Sequence, residues 1–295
     1  MVKKIRFRQA VPDIISSAIA VLLLIIFAYP LLYTLFASVS EPARIRDNGG
    51  LLLYPLGFNL RGYKIVFQNQ LIWSGILNSV FYMAAGTCLN MFLTAMGGYV
   101  LSRKNVMLNP IIMKMIVFTM FFSGGIIPLY LLVSNMMLID SRLALILPVA
   151  VSQWNLILLK TAYCELPGEI LESAKIDGCN DFYIMFKIAT PLIKPTFMII
   201  LMYYAVGHWN SWYSAMVFLR SSDKFPLQLV LREILIINDS SKFINTSVIN
   251  AEEVLNLSLA IKYCTCVVSM IPMAIMFPLI QRHFTTGVML GSLKS

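Results

Sequence analysis

The sequence predicts an all-α polytopic membrane protein with six transmembrane helices and one polar loop on the cytoplasmic side. Three observations lead to this fold class. Of the 295 residues, 59% are hydrophobic and only 13% are charged, whereas charged residues make up about 25% of an ordinary globular chain. The apolar residues form six segments, each long enough to provide the roughly 20 residues that cross a bilayer as a helix. The polar residues lie between these segments, above all in the stretch Glu165–Pro195, here called the polar island.

The six predicted spans account for about half of the chain. They lie near residues 14–37, 74–101, 111–134, 143–162, 193–219 and 260–281. No composition shift marks a separate soluble domain. We therefore predict one transmembrane domain over residues 13–281, preceded by a tail of residues 1–12 and followed by a tail of residues 282–295.

Basic residues determine the predicted orientation. Four of the first eight residues are Lys or Arg, and the pair Arg103-Lys104 follows the second span. Basic residues close to span ends favour the cytoplasmic side. Both tails and the polar island are then cytoplasmic. The net charge of +9 fits basic flanks beside anionic headgroups better than a nucleic-acid partner. We expect no cleavable signal peptide, because the first apolar segment runs on too long.

The same orientation makes two long loops external, residues 38–72 and 220–259. The second loop contains a plausible helix at 226–237, and another helix is predicted to begin near Asn250. Long loops in a compact protein are usually functional or disordered. The mixed apolar and polar content of these two favours docking of an outside partner.

The polar island has local structure signals of its own. Pro167 suits the first position of a helix, and Gly178 provides the left-handed residue that ends one. Asn180 or Asp181 can cap a second helix that reaches Ile188, and Pro191 discourages its continuation. We predict two short helices joined at Gly178.

The island resembles the EAA loop of permease subunits in binding-protein-dependent ABC importers. That pattern consists of E-A-A, two residues, D-G-A, eight residues and I-x-L-P. The island has the same spacing in the runs Glu172-Ser173-Ala174, Asp177-Gly178-Cys179 and Ile188-Ala189-Thr190-Pro191. Ser173, Cys179 and Thr190 depart from the pattern and are modest in size.

Further segments are similar to the carbohydrate branch of this family. They are Asn78-Ser79, Phe122-Ser123-Gly124-Gly125, Trp209-Asn210, Gln281-Arg282-His283-Phe284 and the tail from Gly287 to Lys294. The resemblance covers most of the chain. It implies the six-span fold of a type I importer permease and a function in importing a sugar, typically an oligosaccharide, into a bacterial cell.

The resemblance also implies a set of partners. They are a second homologous permease, an extracellular solute-binding lipoprotein and a cytoplasmic ATPase dimer that holds ATP and Mg²⁺. The chain itself is expected to bind no cofactor and to be a transport subunit rather than an enzyme. It contains no phosphate-cradling glycine loop ending in Lys-Ser or Lys-Thr, so another chain must hydrolyse ATP.

On this resemblance, the loop 163–191 couples the membrane bundle to the ATPase. The expected coupling residues are Glu172, Ser173, Ala174, Asp177, Gly178, Cys179, Ile188 and Pro191. Glu172 and Asp177 would act as positioning or capping groups. Ala174, Ile176 and Ile188 would pack into the ATPase or back on the bundle. The alternative, an amphipathic helix on the membrane surface, is disfavoured because an anionic leaflet would repel the acidic residues.

The sugar path is less clearly marked. The candidates are Asn78, Ser123, Trp209, Asn210 and Trp212. The richest cluster consists of His208, Trp209, Asn210, Trp212 and Tyr213. An interfacial belt of Trp and Tyr explains the aromatic residues better than a ligand site does. Polar residues within spans more often join helices than bind a ligand.

Three other functions stay open from the residues alone: an importer for peptides, polyamines or another solute; a secondary transporter or intramembrane enzyme; and a structural scaffold. The second would need paired acidic or His residues inside the spans, whereas the acidic residues lie in loops or at span edges. We expect no catalytic group and no metal site. His208 and His283 fall on opposite membrane faces, and Cys264 and Cys266 point in different directions around one helix.

Overall fold

The computed structural model describes residues 2–103, 105–236 and 251–291. The α-helices in these ranges are α1 Val2–Val39, α2 Pro42–Asn48, α3 Arg61–Gln68, α4 Gln70–Ser102, α5 Asn109–Phe121, α6 Ile126–Asn135, α7 Gln153–Cys164, α8 Gly168–Ile176, α9 Asp181–Tyr183, α10 Thr190–Leu192, α11 Lys194–Trp209, α12 Trp212–Phe218, α13 Leu227–Ile236 and α14 Ala251–Gly291. Short 3₁₀-helices occupy Arg142–Leu145, Leu147–Val149 and Ser222–Lys224, and a π-helix occupies Ile184–Ala189. The described residues contain no strand, and the all-α prediction is confirmed.

The helices provide up to six membrane spans. Three segments are long and apolar enough to cross a bilayer alone: Ile15–Val39, Gln70–Ser102 and Glu252–Ile275. Three bent pairs meet the same criterion together: Asn109–Phe121 with Ile126–Asn135, bent by 115°, Arg142–Val149 with Gln153–Cys164, bent by 50°, and Asp181–Leu192 with Lys194–Trp209, bent by 93°. If each pair is one span, the total among the described residues is six.

The structure corrects three predicted spans, which are not continuous helices. Span 111–134 is broken between α5 and α6, where Gly125 has a φ of 82° that glycine adopts without strain. Span 143–162 begins as 3₁₀-helix, and α7 starts only after Ser152, whose hydroxyl accepts from the Asn155 N–H. Span 193–219 is interrupted between α11 and α12. A hydropathy pattern measures apolar length and does not report backbone breaks.

The last helix is longer than its predicted span. Helix α14 begins at Ala251, next to the predicted start at Asn250, and continues to Gly291. It therefore extends beyond 260–281 at both ends. Lys104, residues 237–250 and residues 292–295 lie outside the described residues, as do the corresponding parts of the second external loop and of the final tail.

One compact unit comprises Met1–Asn69 and Glu233–Met270. Within it, α3 packs closely on α14 at Gly62, where an added Cβ would lie 2.7 Å from Cys264 Sγ and 3.0 Å from Ala260 Cβ. Arg46 pairs with Glu252 at 2.7 Å, and Arg61 pairs with Glu253 at 2.9 Å. These contacts fold the predicted external loop 38–72 onto the start of α14.

A second compact unit comprises Gln70–Arg232 and Ile271–Ser295. Helix α4 packs along α7 and α11 within it. The helices approach closely at small residues: the His208 ring occupies the space beside Gly86, and the backbone of α7 lies against Gly98. Small residues are what allow membrane helices to come this near. An apolar cluster joins the ends of α4 and α7 to the polar island, and so positions the candidate site.

Candidate coupling site and substrate path

Helix α8 ends in a Schellman cap at Gly178. This glycine has a φ of 83°. Its N–H donates to the Lys175 carbonyl at 3.0 Å, and the Cys179 N–H donates to the Ala174 carbonyl at 3.0 Å, which are the two bonds of this motif. Ala174 and Cys179 also pack on one apolar cluster, the contact that often accompanies the motif. The spacing of Ala174, Gly178 and Cys179 therefore places the end of helix α8 at the glycine.

The second helical segment begins at the predicted cap. The Asn180 side-chain oxygen accepts from the Tyr183 N–H at 2.8 Å, so this prediction is confirmed. Lys175 Nζ lies 3.2 Å from the Asp181 carboxylate, and this ion pair connects α8 to α9. Both side chains are more than half exposed, so the pair contributes little stability.

Pro167 and Pro191 differ from their predicted positions. Pro167 is the residue before α8, which begins one position later at Gly168. Helical backbone continues past Pro191 to Leu192 through the π-helix and α10. Pro191 lies in the first turn of α10, where a missing N–H costs little. The chain turns at Ile193 instead.

The inner face of the island packs on the membrane bundle. Leu171 and Ala174 are 7% and 6% exposed, and they join a cluster that includes Tyr99 of α4 and Tyr163 of α7. The Tyr163 and Thr190 hydroxyls are hydrogen-bonded at 2.8 Å. The two helical segments are thus held against the ends of two spans by apolar packing and a hydrogen bond.

The coupling candidates divide between the two faces of the island. Ala174 is buried, and Cys179 and Ile188 are half-buried against the cluster. Glu172, Ser173, Asp177, Gly178 and Pro191 are exposed. Of the three residues expected to pack, Ile176 is the one that the described part of the chain leaves mostly uncovered, with 86% of its surface exposed.

The predicted capping function of the two acidic residues is not observed. Within the described part of the island, the helix ends are closed by the Gly178 backbone and the Asn180 side chain, not by the carboxylates of Glu172 or Asp177. Ser173 donates to the Glu169 carbonyl at 2.7 Å inside its own helix. Both acidic side chains are exposed, and Asp177 directly follows the exposed Ile176.

Asn78 is a structural residue of the bundle. It is 4% exposed, and its amide donates to the carbonyls of Asp223 at 2.6 Å and Phe225 at 3.2 Å. Its side-chain oxygen accepts from Arg142 at 3.1 Å. These bonds fasten the segment 223–225 to α4.

Sequence reasoning missed a second fastening of the same segment, at Asp140. The Asp140 carboxylate accepts from the backbone N–H groups of Arg220 and Ser221, both at 3.0 Å, and from the Ser221 hydroxyl. Lys224 Nζ lies 3.1 Å from it. The Ser221 hydroxyl, followed by the two backbone N–H groups, holds the pKa of Asp140 well below its usual range. The left-handed backbone of Asp140, with φ 59°, is one that Asp tolerates.

The other path candidates have different surroundings. Trp209 is 1% exposed. Asn210 is exposed where α11 ends, and Trp212 is 39% exposed, with the Arg232 guanidinium 5.3 Å from its ring centre. Ser123 is exposed in the break between α5 and α6, where its hydroxyl accepts from the Gly125 N–H at 3.2 Å. A contact of any of these residues with substrate stays a prediction.

Polar groups inside the spans serve helix packing. Asn90 donates to the Val149 carbonyl at 2.8 Å, and its side-chain oxygen lies 3.4 Å from His208 Nε2. Across the described ranges, no three His, Cys, Asp or Glu side chains come together as metal ligands would.

Comparison with known proteins identifies the family, although no family model matches the chain. The chain is 37% identical over 287 residues to the polygalacturonan/rhamnogalacturonan transport system permease protein YtcP of Bacillus subtilis, covering 96% of this chain and 98% of that protein. It is 35% identical over 265 residues to the protein LplC of the same organism, covering 90% and 88%. It is 27% identical over 277 residues to the arabinooligosaccharides transport system permease protein AraQ of Halalkalibacterium halodurans, covering 91% and 92%.

A solved structure has the same fold. It is the crystal structure of a bacterial ABC transporter involved in the import of the acidic polysaccharide alginate. One of its chains superposes with a TM-score of 0.83 at 27% identity, covering 93% of this chain and 97% of that one. Together with the helical architecture and the apolar spans, these similarities show that the chain belongs to the permease proteins of carbohydrate ABC importers, which are membrane transport subunits and not enzymes.

Proposed function

We propose that this chain pairs with a second, homologous permease to carry an oligosaccharide across the cell membrane of a bacterium, with both termini in the cytoplasm. An extracellular solute-binding lipoprotein would deliver the sugar to the external loops 38–72 and 220–259. A cytoplasmic ATPase dimer, which holds ATP and Mg²⁺, would supply the energy. The similarity to permeases named for polygalacturonan and arabinooligosaccharides supports a carbohydrate cargo.

The observation that carries this proposal is the two-faced packing of the polar island. Leu171 and Ala174 are buried against the bundle, while Ile176 is 86% exposed on the same short helix. An exposed isoleucine next to the exposed Asp177 carboxylate suits contact with another protein. Since packed interiors transmit strain, a push on the outward face would reach α4 and α7 through the buried one.

The mechanism we infer is alternating access. Closure of the ATPase dimer on ATP would move the islands of the two permeases, and the bundles would rock so that the cavity opens outward. The sugar would enter from the docked binding protein, and ATP hydrolysis would return the bundles to the inward-open state. Rigid-body movement of one bundle against another is the usual form of such transport.

The test compares two glycines of one helix segment in the transporter assembled with its partner subunits. In Gly178→Val, a β-branched residue must take a left-handed φ, which costs roughly 1–2 kcal/mol. The matched control is Gly168→Val, because neither glycine has an atom within 4 Å of its added Cβ and Gly168 has no left-handed φ. We expect Gly178→Val to lose most sugar uptake and most of the ATP hydrolysis that the loaded binding protein stimulates.

Two results would contradict the proposal. Uptake and stimulated hydrolysis in Gly178→Val that match those of Gly168→Val would remove the coupling assignment. Stimulation of hydrolysis by a binding protein loaded with a non-sugar solute, and by none loaded with an oligosaccharide, would remove the cargo class but not the family.

A further inference from the structure

A cavity of about 620 Å³ lies between the polar island and the ends of two spans. Tyr99 and Arg103 at the end of α4, and Tyr163 and Cys164 at the end of α7, form one part of its wall. The island forms the other part. This volume is in the range of small-molecule sites in proteins, and the proposed coupling function gives it no occupant.

Two buried polar atoms in this wall have no hydrogen-bond partner among the described residues: the Tyr99 hydroxyl and Arg103 Nε. Tyr99 is 4% exposed, and the Arg103 guanidinium lies 3.9 Å from the centre of its ring. Buried polar groups are nearly always hydrogen-bonded. The Tyr99 hydroxyl and the stacked Arg103 guanidinium therefore keep hydrogen-bonding capacity for an anionic acceptor, such as a phosphate oxygen.

The remaining lining defines the rest of the ligand. Met96, Val100 and Leu171 are apolar, so part of the ligand must be apolar as well. The island contributes the Lys175–Asp181 ion pair and the Glu172 carboxylate. Glu172 has no ion-pair partner within the described residues. A ligand that carries only negative charge would leave this carboxylate facing an anion, whereas an ammonium group would pair with it.

The position of the cavity agrees with this chemistry. It lies at the last turns of α4 and α7, which are helices of two predicted spans. Span ends reach the level of the lipid headgroups, where Tyr and basic residues are enriched. A molecule with a phosphate, an ammonium group and an apolar body is present there at high concentration, namely a zwitterionic aminophospholipid.

We propose that this cavity binds the headgroup of an aminophospholipid such as phosphatidylethanolamine. Arg103 and the Tyr99 hydroxyl hold its phosphate, Glu172 pairs with its ammonium group, and the apolar wall covers the start of its acyl chains. The lipid fills the space between the island and the spans, and so stiffens the contact through which the ATPase acts. This last consequence rests on the proposed coupling function, whereas lipid binding does not.

The experiment measures lipid that stays bound to the assembled transporter. The transporter is incubated with equal amounts of phosphatidylethanolamine, phosphatidylglycerol and phosphatidylcholine, washed in detergent, and analysed by native mass spectrometry. We expect retained phosphatidylethanolamine to exceed the other two. Arg103→Ala should lower its retention about tenfold or more and Tyr99→Phe about threefold, as expected for charged and neutral hydrogen bonds. Tyr99→Phe keeps the ring and its packing, so it tests the site even where Arg103→Ala unfolds.

Lys114→Ala is the matched control. Lys114 is an exposed cation of α5 that does not line this cavity, and retention should stay at the wild-type level. Equal retention in wild type and both cavity variants would overturn the site. Preference for phosphatidylglycerol would overturn the aminophospholipid, and displacement of the lipid by millimolar inorganic phosphate would overturn a lipid occupant. Less retained lipid in the assembled transporter than in the permease pair without the ATPase would make the cavity part of the ATPase surface, which also contradicts the proposal.

ATP hydrolysis measured on the same samples separates this inference from the coupling proposal. Retained phosphatidylethanolamine without binding-protein-stimulated hydrolysis supports the lipid site and contradicts coupling through the island. Normal stimulation without any retained lipid contradicts the lipid site alone.

Discussion

Replacing Asn78 with alanine decides between two roles for this residue. As a candidate of the sugar path, Asn78 would affect the apparent affinity for substrate. In the structure it makes three hydrogen bonds to other segments, to the carbonyls of Asp223 and Phe225 and from Arg142, besides a longer one to the Ser74 hydroxyl of its own helix. It is also buried. We therefore expect Asn78→Ala to destabilise the protein without changing the KM for uptake.

The size of this effect follows from the bonds that are lost. Side-chain hydrogen bonds in membrane proteins are worth roughly 0.6 kcal/mol each on average and about 1.7 kcal/mol at most. Three of them give about 2 kcal/mol, with roughly 5 kcal/mol as the upper limit. For a chain of this size, 2 kcal/mol lowers the melting temperature by roughly 3–6 °C.

The assay combines thermal unfolding of the purified protein with uptake kinetics of the assembled transporter. Asn210→Ala is the control, since it removes the same side chain at an exposed position and should leave the melting temperature within about 1 °C. An unchanged melting temperature in Asn78→Ala together with a severalfold higher KM would refute the structural assignment and restore Asn78 to the sugar path.

Three further predictions concern other contacts. Gly86→Ala should lower the stability of the fold by about 1–3 kcal/mol through overpacking, because its Cβ would overlap the His208 ring. Adding His208→Ala should restore part of the melting temperature. A double variant no more stable than Gly86→Ala would contradict a clash with His208. Asp140→Asn should lower the melting temperature at neutral pH. The pKa of Asp140 is lowered in the folded state. Its stabilising effect is therefore present above the ordinary Asp pKa of about 4 and declines as the pH falls below that value. A difference in melting temperature between variant and wild type that is the same at pH 7 and pH 3 would contradict this. Glu252→Gln should lower the stability of the fold by less than about 1 kcal/mol, since the Glu252 side chain in its pair with Arg46 is 70% exposed. A larger loss would contradict the assignment of this pair as a weak surface ion pair.

The number of apolar spans and the helix caps of the island could be predicted from the sequence because they depend on local signals. Gly178 and Asn180 act on backbone groups within five residues of themselves, so their chemistry can be deduced from composition and spacing. The same holds for Ala174 and Cys179, whose backbone groups form one of the two hydrogen bonds that end helix α8. A Schellman cap brings these two positions into contact, so their packing also follows from local spacing.

What could not be predicted depends on contacts between distant segments. Asp140 is fastened to backbone groups some 80 residues later, and no local pattern marks that partnership. Whether Asn78 and Trp209 face a path or the bundle interior depends on which helices pack against them. The breaks in three spans could not be predicted because an apolar window has the same hydropathy whether its backbone is helical or bent.

The coupling function of the polar island is the central claim, and photo-crosslinking from Ile176 tests it most directly. The photoreactive residue benzoylphenylalanine replaces Ile176 in the assembled transporter, and in a second sample it replaces Tyr54, which is 67% exposed in the external loop 38–72. We predict that position 176 captures the ATPase subunit and position 54 does not. Crosslinking of position 176 to lipid alone, or capture of the ATPase from position 54, would contradict the account.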